Sequence, residues 1–208
     1  MGRKIGNLLM GLGLLLLAAA LALFCWNRWQ AHRAAVYVEQ VLPQLVEQVE
    51  ENAAQEQETP ATETEPDGQQ TQPISEEEPT LVTIDGVDYL GWLTIPDLGL
   101  ELPVAWQWSY PQLRQTPCRY TGTVAENNLV IAAHNYDRHF GKLSSLSGGE
   151  TVYFTDGNGN TITYEVVAVD ILAPTDIAEM TAGEYDLTLF TCTYGGKSRV
   201  TVRCMRSK

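Results

Sequence analysis

The hydrophobic pattern divides the chain into stretches of unlike character. Ile5 to Trp26, IGNLLMGLGLLLLAAALALFCW, carries no charged residue, and a helix of that length spans the hydrocarbon core of a bilayer. Val38, Val41, Leu42, Leu45, Val46 and Val49 then recur at helical spacing, which predicts an amphipathic helix. Pro43 should kink or restart it, because it lacks the N–H of a helical residue and clashes with the preceding turn. This second helix reads as a membrane-proximal stalk, with a dimerising or partner-binding helix as the alternative. Gln55 to Pro79 is rich in Glu, Gln, Thr and Pro and holds no aromatic residue. Such a segment buries too little apolar surface to offset its ordering entropy, so it is expected to be a disordered tether.

From Thr80 the pattern changes to short β-branched and aromatic runs punctuated by Gly, Asp and Asn. TLVTIDGVDYLGWLTI carries a hairpin signal at Asp85-Gly86, and ETVYFTDGNGNTITYEVVAVDIL carries another at Asp156 to Asn160. GLELPVAW, TGTVAENNLVIAAH, YDLTLFTCT and SRVTVRCM are further strand candidates. About seven or eight strands without a long helical period predict an all-β domain, an antiparallel barrel or sandwich. The domain is large enough to bury a core without disulfide staples. The expected organisation is therefore a cytoplasmic tip and transmembrane anchor over 1–29, a stalk helix over 30–54, an acidic linker over 55–79 and a folded domain over 80–208.

Charge sharpens this division. The net charge is −13, and from Ala34 to Pro79 twelve acidic residues face no Lys or Arg. The linker should therefore repel itself and extend, and the chain lacks the basic footprint that nucleic acid requires. A signal peptide would usually end its apolar core earlier, before a small-residue cleavage site. Ala20 to Ala22 offers one, yet the apolar run continues to Trp26, so an uncleaved anchor is the expectation. Phe24 before Cys25 does not suit lipoprotein processing, and Cys25 reads as a membrane-embedded apolar residue. Arg3 and Lys4 flank one end of the run, which orients the amino terminus to the cytoplasm. The acidic linker and the folded domain then lie outside the cell.

Candidate chemistry lies in LTLFTCTYGGKSRVTVRC, Leu187 to Cys204. Side chains alternate faces along a strand, so Thr188, Phe190 and Cys192 share one face, as do Arg199, Thr201 and Arg203. Val200, Val202 and Cys204 share the other, which makes Cys204 a small core residue. TYGGKS suits a hairpin connection that brings Cys192 opposite Arg199, with Arg203 displaced by about 13 Å. A thiol is mostly protonated at neutral pH, so a nucleophilic cysteine needs a base or a cation nearby. Among the histidines, His134 ends an apolar strand in NLVIAAHN, whereas His139 lies in the polar loop beyond it and His32 lies near the membrane. Taken singly, each residue has an ordinary reading: a hydrogen-bonded strand-end histidine, a buried inert cysteine, a solvated arginine. Spacing alone leaves these readings open. Cys and His show none of the paired short spacings of zinc sites, and no phosphate loop or dinucleotide fingerprint stands out.

TLFTCT followed by Arg199 closely resembles the TLxTC…R signature of the sortase family, cysteine transpeptidases of Gram-positive cell surfaces. NLVIAAHN resembles that family's strand ending in the catalytic histidine, and WLTIPDLGLELPV resembles its early strand pair. The similarity covers about Tyr89 to Arg203, in the family's order His, Cys, Arg. One departure is Ala133, where many members place Gly.

The resemblance implies a closed β-barrel of about eight strands, with His134, Cys192 and Arg199 catalytic and Thr191 contacting substrate. It implies cleavage of an LPxTG-like sorting signal through a thioester and transfer to an amine, either a wall precursor or a pilin lysine. No cofactor is implied, and calcium dependence, known for some relatives, does not follow from the scattered acidic residues. Ala173 to Asp186 falls where the family has a substrate-facing loop. Two competing readings are a cysteine hydrolase of papain-like logic and a tethered β-domain that binds a surface partner. Papain-like enzymes place their cysteine early and on a helix, unlike this pattern. Cys118 pairing with Cys204 is a further possibility that spacing does not establish.

Overall fold

The computed structural model describes residues 2–58 and 79–207; most of the acidic linker assigned to 55–79 lies outside the described residues. Helix α1 (Gly2–Glu58) runs without a break through Pro43, where a kink or restart was expected. Pro43 is exposed, so the carbonyl deprived of its partner faces water, and the buried neighbours Val41 and Leu45 hold the helix on course.

The two halves of α1 have different surroundings. Leu8 to Trp26 leaves its large apolar side chains exposed, and the window there, with a mean hydropathy of 2.7, is long and apolar enough to cross a membrane. Farther along, Ala34, Val38, Val41, Leu45 and Val49 form one buried stripe. Each larger side chain of that stripe gains about 1.5–3 kcal/mol from leaving water. The residues expected to form a stalk are thus packed on the folded domain.

That domain contains nine strands: β1 (Val82–Ile84), β2 (Val87–Ile95), β3 (Leu100–Ala105), β4 (Cys118–Thr121), β5 (Leu129–Ala132), β6 (Thr151–Asp156), β7 (Thr161–Leu172), β8 (Leu187–Cys192) and β9 (Arg199–Arg206). Their order is β1-β2-β3-β4-β5-β8-β9-β7-β6, and β6 also pairs with β2. The strands from β2 onward therefore close into a barrel of eight, with β1 added at the side. Closure passes through Gly91, where a Cβ would collide with the Thr155 carbonyl oxygen; β2 approaches β6 closely only because that side chain is missing.

The Asp85-Gly86 hairpin forms as expected, both residues having positive φ (50° and 78°), the requirement of a type I′ turn. The expectation of a wholly antiparallel barrel does not hold. β3 pairs with β4 and β5 pairs with β8 in parallel, because the intervening segments cross over instead of turning back. β4 was not anticipated as a separate strand; its four residues lie beside Pro117 and lack a clear alternation.

Around β5, β8 and β9 the two faces separate cleanly. Leu129, Ile131, Ala133, Leu187, Leu189, Val200, Val202 and Cys204 pack in the main core. Val130, Ala132 and Phe190 face outward into a second apolar cluster with Leu172 and Met180. Cys118 and Cys204 are both free and buried, and they belong to different clusters, so they do not form the disulfide considered from the sequence.

Candidate active site

Cys192 ends β8 and Arg199 begins β9, and the two are partners across the antiparallel ladder. The parallel ladder of β5 and β8 ends with Ala132 opposite Phe190 and extends one step further through the Ala133 N–H, which donates to the Phe190 carbonyl at 3.2 Å. Carried on in the same register, His134 falls beside Cys192, on a neighbouring strand path roughly 4.8 Å away. The ladders thus pair Cys192 with Arg199 and direct the chain at His134 towards the same end of the strands.

Thr191, expected at the substrate, points the other way. It is buried, and its Oγ1 donates to the Ala133 carbonyl at 2.8 Å. The alternation that turns Cys192 outward necessarily turns Thr191 inward. Its hydroxyl fixes the backbone immediately before His134.

Arg199 is half-buried, and its Nη1 donates to the carbonyls of Gly196 (3.2 Å) and Ser198 (3.1 Å) in its own turn. The turn is itself braced: the Thr193 hydroxyl meets Ser198, and the Ser198 N–H donates back to Thr193 Oγ1 at 3.1 Å. The guanidinium is therefore held by its own turn, on the residue that pairs with Cys192 across the ladder.

His134 is half-buried and stacks on Tyr136, ring centroids 5.0 Å apart. Burial, with a smaller contribution from the Arg114 guanidinium, holds its pKa below the usual histidine value. His139, read from the sequence as a loop residue, is fully buried, and among the described residues neither ring nitrogen has a hydrogen-bond partner. Burial, together with nearby His134, pushes its pKa down to about 4. Its ring lies 5.5 Å from that of Tyr136, tilted by 50°.

Helix α1 braces the same loop. The Tyr136 hydroxyl donates to Gln30 Oε1 at 3.4 Å, Arg138 pairs with Glu39 at 2.8 Å, and Arg28 pairs with Asp137 at 3.6 Å. None of these contacts was apparent from the sequence, because they join residues about 100 positions apart.

Farther along the strands from Cys192, the outward faces of β5 and β8 carry a buried apolar cluster. Ala132 and Phe190 are partners there; Tyr120 meets Phe190 edge-on at 5.2 Å, and Trp108 meets Tyr120 at 6.2 Å. This aromatic wall was not foreseen, since Trp108, Tyr120 and Phe190 share no sequence periodicity. Among the described residues no group of His, Cys, Asp and Glu is arranged to hold a metal ion.

A closed barrel with Cys192 and Arg199 paired at the ends of two adjacent strands defines the class of fold. Residues 93–207 match the family model of the Sortase domain. That is more than half of the chain, and the protein belongs to the sortase family.

Solved sortases share its fold. Sortase A from Corynebacterium diphtheriae is 25% identical with a TM-score of 0.51, the match covering 59% of this chain and 62% of that one. The chain thus spans less than two thirds of that relative. Sortase C1 from Streptococcus agalactiae is 25% identical with a TM-score of 0.54, covering 61% of this chain and 71% of its own. Sortase C from Clostridium perfringens, solved with the C-terminal cell wall sorting motif, is 26% identical with a TM-score of 0.51, covering 58% and 71%. No curated protein matches the chain.

Proposed function

We propose that this sortase is a membrane-anchored transpeptidase that cleaves an LPxTG-like sorting signal and transfers its acyl part to an amine. The observation that carries this reading is the cross-strand pairing of Cys192 with Arg199, with His134 in register on the other side. Cys192, as thiolate, attacks the carbonyl carbon of the scissile peptide bond. The carbonyl oxygen gains the negative charge, and Arg199 turns from its two turn carbonyls to stabilise it. A cation brought to the developing oxyanion lowers the barrier because it stabilises that charge more than it stabilises the neutral carbonyl. The tetrahedral adduct collapses, the C–N bond breaks, and His134 gives its proton to the leaving amine.

The resulting thioester keeps the acyl group reactive until an acceptor amine arrives. His134 then takes a proton from that amine as it attacks, the C–S bond breaks, and a new amide is released with Cys192 again a thiolate. A wall precursor or a pilin lysine supplies the amine. Exposed Trp108 and half-buried Tyr120, beside Phe190, offer an aromatic surface that suits a peptide with apolar side chains upstream of the cleaved bond. The sorting motif bound by the Clostridium perfringens relative supports the same class of substrate.

The division of labour along the chain follows: 1–29 anchors the protein with its amino terminus in the cytoplasm, 30–54 braces the domain, 55–79 is an acidic linker, and 80–208 carries out the reaction outside the cell. The test is to incubate the full-length protein in lipid nanodiscs with LPxTG-like peptides, with and without a glycine amine, and to follow products by mass spectrometry. An amine-exchanged product and a thioester on Cys192, both absent in Cys192→Ala, are expected. Hydrolysed peptide alone at saturating amine points to the hydrolase, and an inert Cys192 points to a binding domain.

A further inference from the structure

Where the uncharged run ends, α1 carries Trp26, Trp29, Arg33 and Tyr37, spaced by three and four residues and so aligned along one side of the helix. Across from them stands the short helix α2 (Tyr110–Leu113), capped by Ser109, whose Oγ accepts from the Gln112 N–H at 3.2 Å. Leu113 seats α2 by packing on the cluster that holds Val41, Leu45 and Cys118. Between the two helices lies a cleft of about 590 Å³, lined by Trp26, Trp29, Arg33, Tyr37, Pro111 and Arg114 among others. That volume falls within the usual range of small-ligand sites.

The charge of the cleft is one-sided. In a chain of net charge −13, no Asp or Glu lines it, and among the described residues neither Arg33 nor Arg114 pairs with a carboxylate. Arg28, by contrast, pairs with Asp137 at 3.6 Å. Two guanidiniums lining one cleft without an anion repel each other, and each keeps its charge at any accessible pH. The cleft is therefore complementary to an anion with several acceptor oxygens, and a phosphate has that geometry.

The place of the cleft on α1 decides which phosphate. At 1.5 Å per residue, Trp29 lies about 4.5 Å and Arg33 about 10 Å beyond Trp26, which covers the headgroup layer, about 5–8 Å deep on each side of the hydrocarbon core. Helical side chains lean towards the amino terminus, here towards the membrane. The Arg33 guanidinium does so, lying over the Trp29 ring at 4.9 Å from its centroid. Trp26 and Trp29, both exposed and with ring centroids 5.2 Å apart, carry the amphipathic rings that settle at headgroup depth.

We propose that the cleft between α1 and α2 is a binding site for the phosphate of an anionic phospholipid, with Arg33 and Arg114 holding its oxygens and Trp26 and Trp29 beside its glycerol and acyl chains. This inference rests on the membrane-anchor reading above. The bound lipid ties the domain to the membrane at a second point besides the anchor. It also reaches the candidate active site through charge: an anion on Arg114 offsets the influence by which that guanidinium lowers the His134 pKa, so more imidazolium is present at neutral pH.

The test uses the full-length protein in nanodiscs of phosphatidylcholine, alone or mixed with phosphatidylglycerol. Native mass spectrometry counts the phospholipid retained when the nanodisc is stripped away. Wild type should retain phosphatidylglycerol over phosphatidylcholine by about tenfold, since each arginine at headgroup depth adds attraction. Arg33→Gln combined with Arg114→Gln should lose most of that preference, and Arg28→Gln should keep it. Arg33 and Arg114 are exposed, so replacing them leaves the core intact. NMR of the His134 ring supplies a second reading: adding phosphatidylglycerol should raise its titration midpoint more in wild type than in Arg114→Gln, which subtracts the general effect of surface potential. Equal retention by wild type and the double variant, or equal rises in the midpoint, overturns the inference. Inorganic phosphate that moves the midpoint as far in phosphatidylcholine nanodiscs overturns it too, because the cleft then takes free anions. Wild-type protein that does not remain in the nanodisc overturns the anchor reading on which it rests.

Discussion

Tyr136 lies flat on His134, with centroids 5.0 Å apart and planes 29° from parallel, and the hydroxyl of the same tyrosine reaches Gln30 on α1. The imidazole assigned to proton transfer is therefore positioned through a ring that the membrane-proximal helix also holds.

A fragment beginning at Thr80 loses this brace and uncovers the surface on which Val38, Val41, Leu45 and Val49 pack. Its melting temperature should fall by on the order of 10 °C relative to a fragment beginning at Arg28, since burial of such side chains is worth a large share of a small domain's stability. Scanning calorimetry of the two fragments measures this. The exposed pairs Arg28–Asp137 and Arg138–Glu39 contribute little of the difference, about 0–1 kcal/mol each. Equal melting temperatures would show that α1 is only a tether.

Arg114 should tune His134. Its guanidinium lowers the His134 pKa, secondary to burial, so fewer molecules hold the imidazolium needed to protonate the leaving amine at neutral pH. Arg114→Gln is expected to raise the titration midpoint of the His134 ring in NMR spectra. An unchanged His134 midpoint would leave burial as its sole determinant.

His139 makes stability depend on pH. Its pKa in the folded protein is about 4, below that of an exposed histidine, near 6.5. The unfolded chain therefore binds a proton that the folded protein refuses. The stabilisation is present in full above about pH 6.5 and is lost as pH falls towards 4, by up to about 3 kcal/mol. Urea denaturation of wild type and His139→Leu at pH 7, 6 and 5 reads this directly: the wild-type midpoint should decline more steeply. Parallel declines would assign the acid sensitivity to other groups.

Arg199→Lys keeps a charge but loses the planar fork. Turnover should fall by about 10²–10³-fold, the usual cost of removing one oxyanion donor, while Cys192 remains open to alkylation. Initial rates on the preferred peptide decide this, and a loss under fivefold would place the oxyanion elsewhere.

Much of this arrangement is local in origin and therefore legible in the chain itself. The period-two alternation of LTLFTC and RVTVRC determines that Cys192 and Arg199 face outward while Cys204 faces the core, and the turn between them sets their pairing. The uncharged run to Trp26 and the Asp85-Gly86 hairpin likewise depend only on neighbouring residues.

Tertiary structure decided what distant segments do to one another. The parallel pairing of β5 with β8, which brings His134 to Cys192, follows from closing the barrel over more than fifty intervening residues, and no local pattern encodes that register. The same holds for the seat of α1 on the barrel and the burial of His139 and Arg203. Burial is a property of what covers a residue, and the cover comes from elsewhere in the chain: Tyr136 beside His139, and the short helix Ile177–Met180 with its Glu179 and Met180 carbonyls over Arg203.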